Sequence, residues 1–221
     1  MSWDVDKLKF LVTSKVSKEA NEKIIDSINS IQNRMHYSRY HFWEYKTIID
    51  NLDNFSKRMS LIFKTKDEYD FDTAIKIEAN IIGCLQNMHA IYDILAYVIN
   101  YSLNLGIKED KITIYSVKKE LNSKSECIDL MNLMEELMEH DNFKYLNANV
   151  NHSKHRSLIS LCYSISFIDD WHGHKFISFN YKGGEYTERN IYDFIIEEYN
   201  RESQLVIRIG NELNTILESS L

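Results

Sequence analysis

Apolar residues recur at steps of three and four along most of this chain, and the longest such run organises the rest. Glu78, Ile81, Leu85, Met88, Tyr92, Leu95, Ile99 and Leu103 alternate those steps in a heptad-like seam. Such a seam marks a helix with one buried stripe. It predicts about 30 residues of helix, or about 45 Å at 1.5 Å per residue, closed by Gly106 as C-cap. A helix of that length suits the central member of a bundle. Upstream, Trp3, Leu8, Leu11 and Val12 predict a short first helix. Residues 17–63 then read as largely helical, with one stripe at Ile24, Ile28, Ile31 and Met35 and another at Ile48, Leu52, Phe55, Met59 and Ile62. The aromatic run HYSRYHFWEY between them reads as packing material for helix junctions. Residues 64–72, KTKDEYDFD, read as a charged loop.

Downstream of Gly106 the pattern predicts a short helix near residues 116–121. A second follows over 125–140, with Ile128, Met131, Met134, Leu137 and Met138 inward. Asp141 is then the expected N-cap of a helix carrying FKYLNANVNHSKHRS, residues 143–157. Phe143, Leu146 and Val150 form its apolar side, while Asn147, Asn151 and His155 line one edge at steps of four. After Arg156 the period changes to alternation. LISLCYSISFID and KFISFNY predict strands, with turns at 170–174 and at Lys182-Gly183-Gly184-Glu185. The last segment, 190–219, is amphipathic, with Phe194, Tyr199, Leu205, Ile209, Leu213 and Leu217 inward. The expected fold is mainly α: a long-helix bundle in one domain over 1–221, with a small antiparallel β-meander at about 158–187 inserted before the C-terminal helix.

Composition agrees with long helices. There is no proline, there are only six glycines, and 44% of residues are hydrophobic. The net charge of −7 means that nucleic acid would need a local basic patch. Cys84, Cys127 and Cys162 are far apart and form no CxxC, so they read as reduced thiols of a cytoplasmic protein. The apolar run 74–105 is interrupted by Lys76, Glu78, His89 and Asp93, so it reads as a core helix and no membrane span is expected.

The candidate chemistry concentrates at the end of the 143–157 stretch. Lys154 and Arg156 supply charge for a phosphate, His155 a proton-transfer group near neutrality, and Asn151 an orienting amide. The bland alternative is a basic helix C-terminus that offsets the helix dipole. On the long helix, His89 and Asp93 are four apart, so the carboxylate can fix the imidazole tautomer. Gln86 lies on the same edge, and Asn147 takes the matching place on the other helix. No cofactor is expected, because no phosphate-binding glycine loop is present. No metal is expected either: His152 with His155, and His172 with His174, lack companion ligands at reliable spacing.

A long central helix carrying His89 and Asp93, followed by a helix ending in Asn151-x-x-Lys154-His155-Arg156, resembles the HEPN-type bundles of prokaryotic defence and toxin systems. The resemblance implies a helical bundle, frequent homodimerisation and, in active members, metal-independent RNA cleavage. His155 matches the family histidine. The family's preceding arginine is replaced by the window Asn149, Val150 and Asn151, while Arg156 follows the histidine. Two functions are therefore expected for comparison. One is an RNA-binding or RNA-cleaving protein of the bacterial defence type. The other is a non-catalytic dimerisation module whose polar edges form a buried hydrogen-bond network.

Overall fold

The computed structural model describes residues 2–52, 58, 59, 62, 71–168 and 171–219. The architecture is mainly α, with seven α-helices among the described residues and a small antiparallel sheet region before the last of them. The helices are α1 (Val5–Thr13), α2 (Lys18–Asp50), α3 (Phe71–Ser102), α4 (Ile114–Leu121), α5 (Ile128–Glu139), α6 (Asp141–His155) and α7 (Ile191–Ser219). The strands are β1 (Leu161–Ser166), β2 (Trp171–Phe176), β3 (Phe179–Tyr181), β4 (Gly184–Tyr186) and β5 (Arg189–Asn190). The chain divides into two compact units. The first is Met1–His36, Met88–Phe143 and Tyr199–Leu221; the second is Tyr37–Asn87 and Lys144–Glu198.

The first unit is wholly helical. Its core is built from the predicted stripes: Ile24, Ile28 and Ile31, then Met88, Leu95 and Ile99, then Leu205, Ile209 and Leu213, all buried. Helix α4 starts at a capping box in which Thr113 and Ser116 exchange backbone and side-chain bonds, satisfying donors that a helix start leaves orphaned. The N-terminal segment is strapped to α7. Asn211 Oδ1 accepts from Asp4 N at 3.1 Å, Asn211 Nδ2 donates to Ser2 O at 3.1 Å, and Asn214 Nδ2 donates to Asp4 O at 2.8 Å. The Trp3 ring lies against Gly210, where any Cβ would overlap it.

The second unit combines helix and sheet. Strands β1, β2 and β5 form one antiparallel sheet in the order β1-β2-β5, with Tyr163 opposite His174. Strands β3 and β4 form a separate hairpin. Its two-residue turn is Lys182-Gly183, with φ of 48° and 82°. Positive φ at both positions matches the twist of the flanking strands, and glycine reaches it without a Cβ clash. In the same unit His41 is set against Gly83 and its Nδ1 lies 2.9 Å from Asn80 Oδ1.

Several expectations need correction. The α3 helix ends at Ser102, earlier than expected, because Asn104 is already left-handed at φ 48°, before Gly106 at 74°. Helix α6 is capped one residue early: Asn142 N donates to His140 Nδ1 at 3.1 Å, so Asp141 is the first helical residue and not the cap. Ile128 is exposed, because it is the first residue after a 3-10 turn and precedes the buried face of α5. The aromatic run of α2 is not all packing: Tyr37, Tyr40 and Trp43 are 52, 59 and 53% exposed, while Tyr45 is buried. The expected strand 175–181 is two strands, and Trp171–His174 belongs to β2 rather than to a loop. The expected turn residue Asp170, the stripe residue Phe55 and the charged segment through residue 70 lie outside the described residues, while Phe71 and Asp72 already belong to α3.

Candidate functional site

Helix α6 buries Phe143, Leu146 and Val150, as its period predicts, together with Tyr145, Ala148 and Asn149. That burial fixes the rotation of the helix and leaves its last turn outside. Lys154, His155 and Arg156 are all exposed there. Asn151 is turned back onto its own helix: its Nδ2 donates to Asn147 O at 2.8 Å and to Asn147 Oδ1 at 2.7 Å. The two amides expected on one edge therefore do meet, and they hold each other.

The neighbouring hairpin completes the cluster. Tyr145 sits among Phe176, Phe179, Tyr186 and Phe194, with ring centroids 5.0–6.0 Å away. Phe179 and Tyr186, paired across the hairpin, are stacked at 4.9 Å. The Arg189 guanidinium lies 4.4 Å from the Tyr145 centroid. Burial pushes the Tyr145 phenol above its ordinary pKa, and the Arg189 charge pulls it part of the way back. This aromatic cluster anchors the hairpin to α6, and the hairpin then carries Tyr181 and Lys182 to the helix end.

There the Arg156 guanidinium lies 5.1 Å from the Tyr181 ring centroid and the Lys182 ammonium 5.4 Å from it. Two cations that would repel in isolation share the negative face density of one ring. His152 packs edge-on against Phe179 at 5.7 Å and Tyr181 at 5.9 Å. Its Nδ1 lies 2.7 Å from Ser157 O. A carbonyl oxygen can only accept, so Nδ1 carries the proton and Nε2 of the neutral ring is left as a base. The His155 side chain, by contrast, makes no hydrogen bond, ion pair or ring contact among the described residues.

The other predicted residues are distributed as follows. On α3, His89 is buried and stands edge-on to Tyr92 at 6.3 Å, while Asp93 and Gln86 are exposed. Gln86 lines a cleft with Asn149 and Ser153. Spacing within the helices did not reveal His152, Tyr181 or Lys182 as members of the cluster. The available signal was the Lys182-Gly183 turn, which marks a hairpin tip but not what the tip touches. Among the described residues no group of three or more His, Cys, Asp and Glu is placed to hold a metal ion, and no helix is long and apolar enough to cross a membrane. Comparison with protein-family models, curated proteins and solved structures gives no match.

Proposed function

We propose that the chain binds RNA at the end of α6 and the tip of the β3–β4 hairpin, and cleaves it without a metal, as the resemblance to HEPN-type bundles implies. The observation that carries this reading is the pair of cations, Arg156 and Lys182, held over Tyr181 on a chain whose net charge is negative. With Lys154 exposed beside them, three positive groups from two elements can meet a phosphodiester backbone.

The chemistry requires one base and one acid. In this reading His152 Nε2 removes the proton of a ribose 2′-hydroxyl, and the 2′-oxygen attacks the adjacent phosphorus. Protonated His155 delivers a proton to the departing 5′-oxygen. The products are a 2′,3′-cyclic phosphate and a 5′-hydroxyl. Lys154, Arg156 and Lys182 offset the negative charge that builds on the phosphate oxygens. Asn151 acts through Asn147, stiffening the last turns of α6.

The test is cleavage and binding of single-stranded RNA in EDTA by wild type, His152→Ala, His155→Ala and the combined variant Lys154→Ala/Arg156→Ala/Lys182→Ala. Wild type is expected to cleave, the two histidine variants to bind but not cleave, and the triple variant to bind poorly. Background cleavage by wild type removes the enzymatic part, and unchanged binding by the triple variant removes the RNA-binding part.

A second reading is a non-catalytic dimerisation module. It is favoured by the buried polar residues of α3: Asn87, His89 and Asn100 are 6, 7 and 4% exposed. A concentration-dependent mass in sedimentation, with RNA binding at background, would select it.

A further inference from the structure

Strand β1 is an edge of the β1-β2-β5 sheet, and among the described residues no strand pairs with its outer side. One bond fixes which backbone groups that side presents. Ile177 N donates to Ser160 O at 3.0 Å, so Ser160 and Ile177 are a hydrogen-bonded pair. Such pairs alternate with non-hydrogen-bonded ones along an antiparallel ladder. Cys162 with Lys175 and Ser164 with Gly173 continue the series, so Leu161, Tyr163 and Ile165 turn their N–H and C=O groups outward. Proteins ordinarily protect such an edge with a charge, a proline or a bulge. Residues 158–168, LISLCYSISFI, contain no charged residue and no proline, and the β1–β2 register runs without a bulge. Large apolar side chains stand exposed at both ends of the strand: Leu158 is 49% exposed, Phe167 80% and Ile168 96%.

We propose that the β1 edge pairs with β1 of a second copy of this chain, antiparallel, about a two-fold axis at Tyr163. A row of outward N–H and C=O groups is satisfied by another extended strand. The apolar residues select which strand. A two-fold axis at Tyr163 pairs that residue with itself and Leu161 with Ile165 of the second copy, so outward groups meet outward groups. The same register carries the Phe167-Ile168 turn of each copy to the Leu158 end of the other. Side chains that stand in water in one copy are thereby covered by the other, at both ends of the strand. A two-fold contact needs this kind of self-complementary surface. The two sheets become one continuous sheet across the axis. This interface is separate from the buried polar residues of α3 that favour the dimerisation reading above, and it is independent of RNA binding.

The test combines sedimentation equilibrium of the full chain with a crosslink that reads the register. Wild type is expected to dimerise in the micromolar range. Phe167→Lys/Ile168→Lys changes two exposed side chains and should weaken self-association roughly tenfold or more. The proposed register also sets Cys162 opposite Ser164 of the second copy, in a non-hydrogen-bonded pair, the type whose side chains approach closest. Wild type mixed with Cys162→Ser/Ser164→Cys under oxidised glutathione should therefore give a disulfide-linked dimer that neither protein gives alone. Should the double lysine variant fail to fold, the crosslink decides by itself. A monomeric wild type, its edge then left to an unrelated extended peptide, overturns the proposal. So does a dimer that gives no mixed crosslink, or one that the double lysine variant forms as tightly as wild type.

Discussion

His152 Nδ1 is held 2.7 Å from the carbonyl oxygen of Ser157, five residues on and just past the end of its helix. The bond fixes both the ring orientation and the tautomer, which is what a general base requires. His155, three residues later, has no such partner among the described residues. The two histidines should therefore respond differently to substitution. His152→Ala is expected to lower single-turnover cleavage by about 10²–10⁴-fold, the usual worth of a positioned base, with RNA affinity within a few-fold of wild type. A His155 variant that keeps activity while His152→Ala loses it would leave the leaving-group proton to solvent. Wild-type rates for His152→Ala would show that the ordered ring is packing alone.

The salt dependence of RNA binding separates the cations. Each phosphate contact released should lower the slope of log K against log[salt] by about 0.7 for a single strand. Arg156→Ala and Lys182→Ala should each do this. Tyr181→Leu removes the shared ring and should weaken affinity with little change in slope, because it removes no charge. A nitrocellulose-filter titration between low and moderate salt gives all three slopes. Identical slopes for wild type and Lys182→Ala would place the hairpin tip outside the interface.

His174 makes a pH prediction. It is buried between the rings of Tyr45 and Tyr163, at 5.9 and 5.0 Å. Its Nδ1 has no hydrogen-bond partner. Burial lowers its pKa from 6.5 to about 4. The unfolded chain therefore binds a proton that the folded chain refuses, and stability rises with pH between those two values. Acidification from pH 7 to pH 4 should cost on the order of 3 kcal/mol at this site, at about 1.36 kcal/mol per pH unit. His174→Phe keeps the ring packing and removes the titration. Urea midpoints from pH 4 to pH 7 should be flatter for that variant. Parallel curves for the two proteins would mean that His174 charges in place at little cost.

How much of this was legible in the chain depends on what periodicity reports. It names the face that is buried, so the α3 seam and the Phe143, Leu146, Val150 stripe were readable, as was the change of period at the sheet. It does not say which polar residues share a buried face. Asn149 follows Ala148 on α6 and is 3% exposed, with an amide side chain that gave no sign of burial. Glu198 and Glu202 were legible in principle: they continue the spacing of Ile191 and Ile195 on α7 and are 0 and 1% exposed. Their side-chain type masked them. The Tyr37, Tyr40, Trp43 ridge failed in the opposite sense, because aromatic content predicts burial and here predicts surface. Arg156 and Lys182 are 26 residues apart, and only the hairpin turn joins them, so no local pattern could have placed them together.

Gly210 provides a test that isolates one contact from the rest of the fold. It sits inside α7, where alanine is preferred over glycine by about 1 kcal/mol on helix propensity alone. Any Cβ there would overlap the Trp3 indole, so Gly210→Ala should push the ring away and strain the Ser2 and Asp4 bonds to Asn211 and Asn214. Overpacking of this kind costs about 1–3 kcal/mol, which for a chain of this length lowers Tm by roughly 2–4 °C per kcal/mol. In the Trp3→Ala background the clash is absent, and only the propensity remains. There Gly210→Ala should raise Tm instead of lowering it. The reversal of sign between the two backgrounds is the coupling a double-mutant cycle measures, and its failure to appear would mean that the indole moves aside freely and does not hold the N-terminal segment in place.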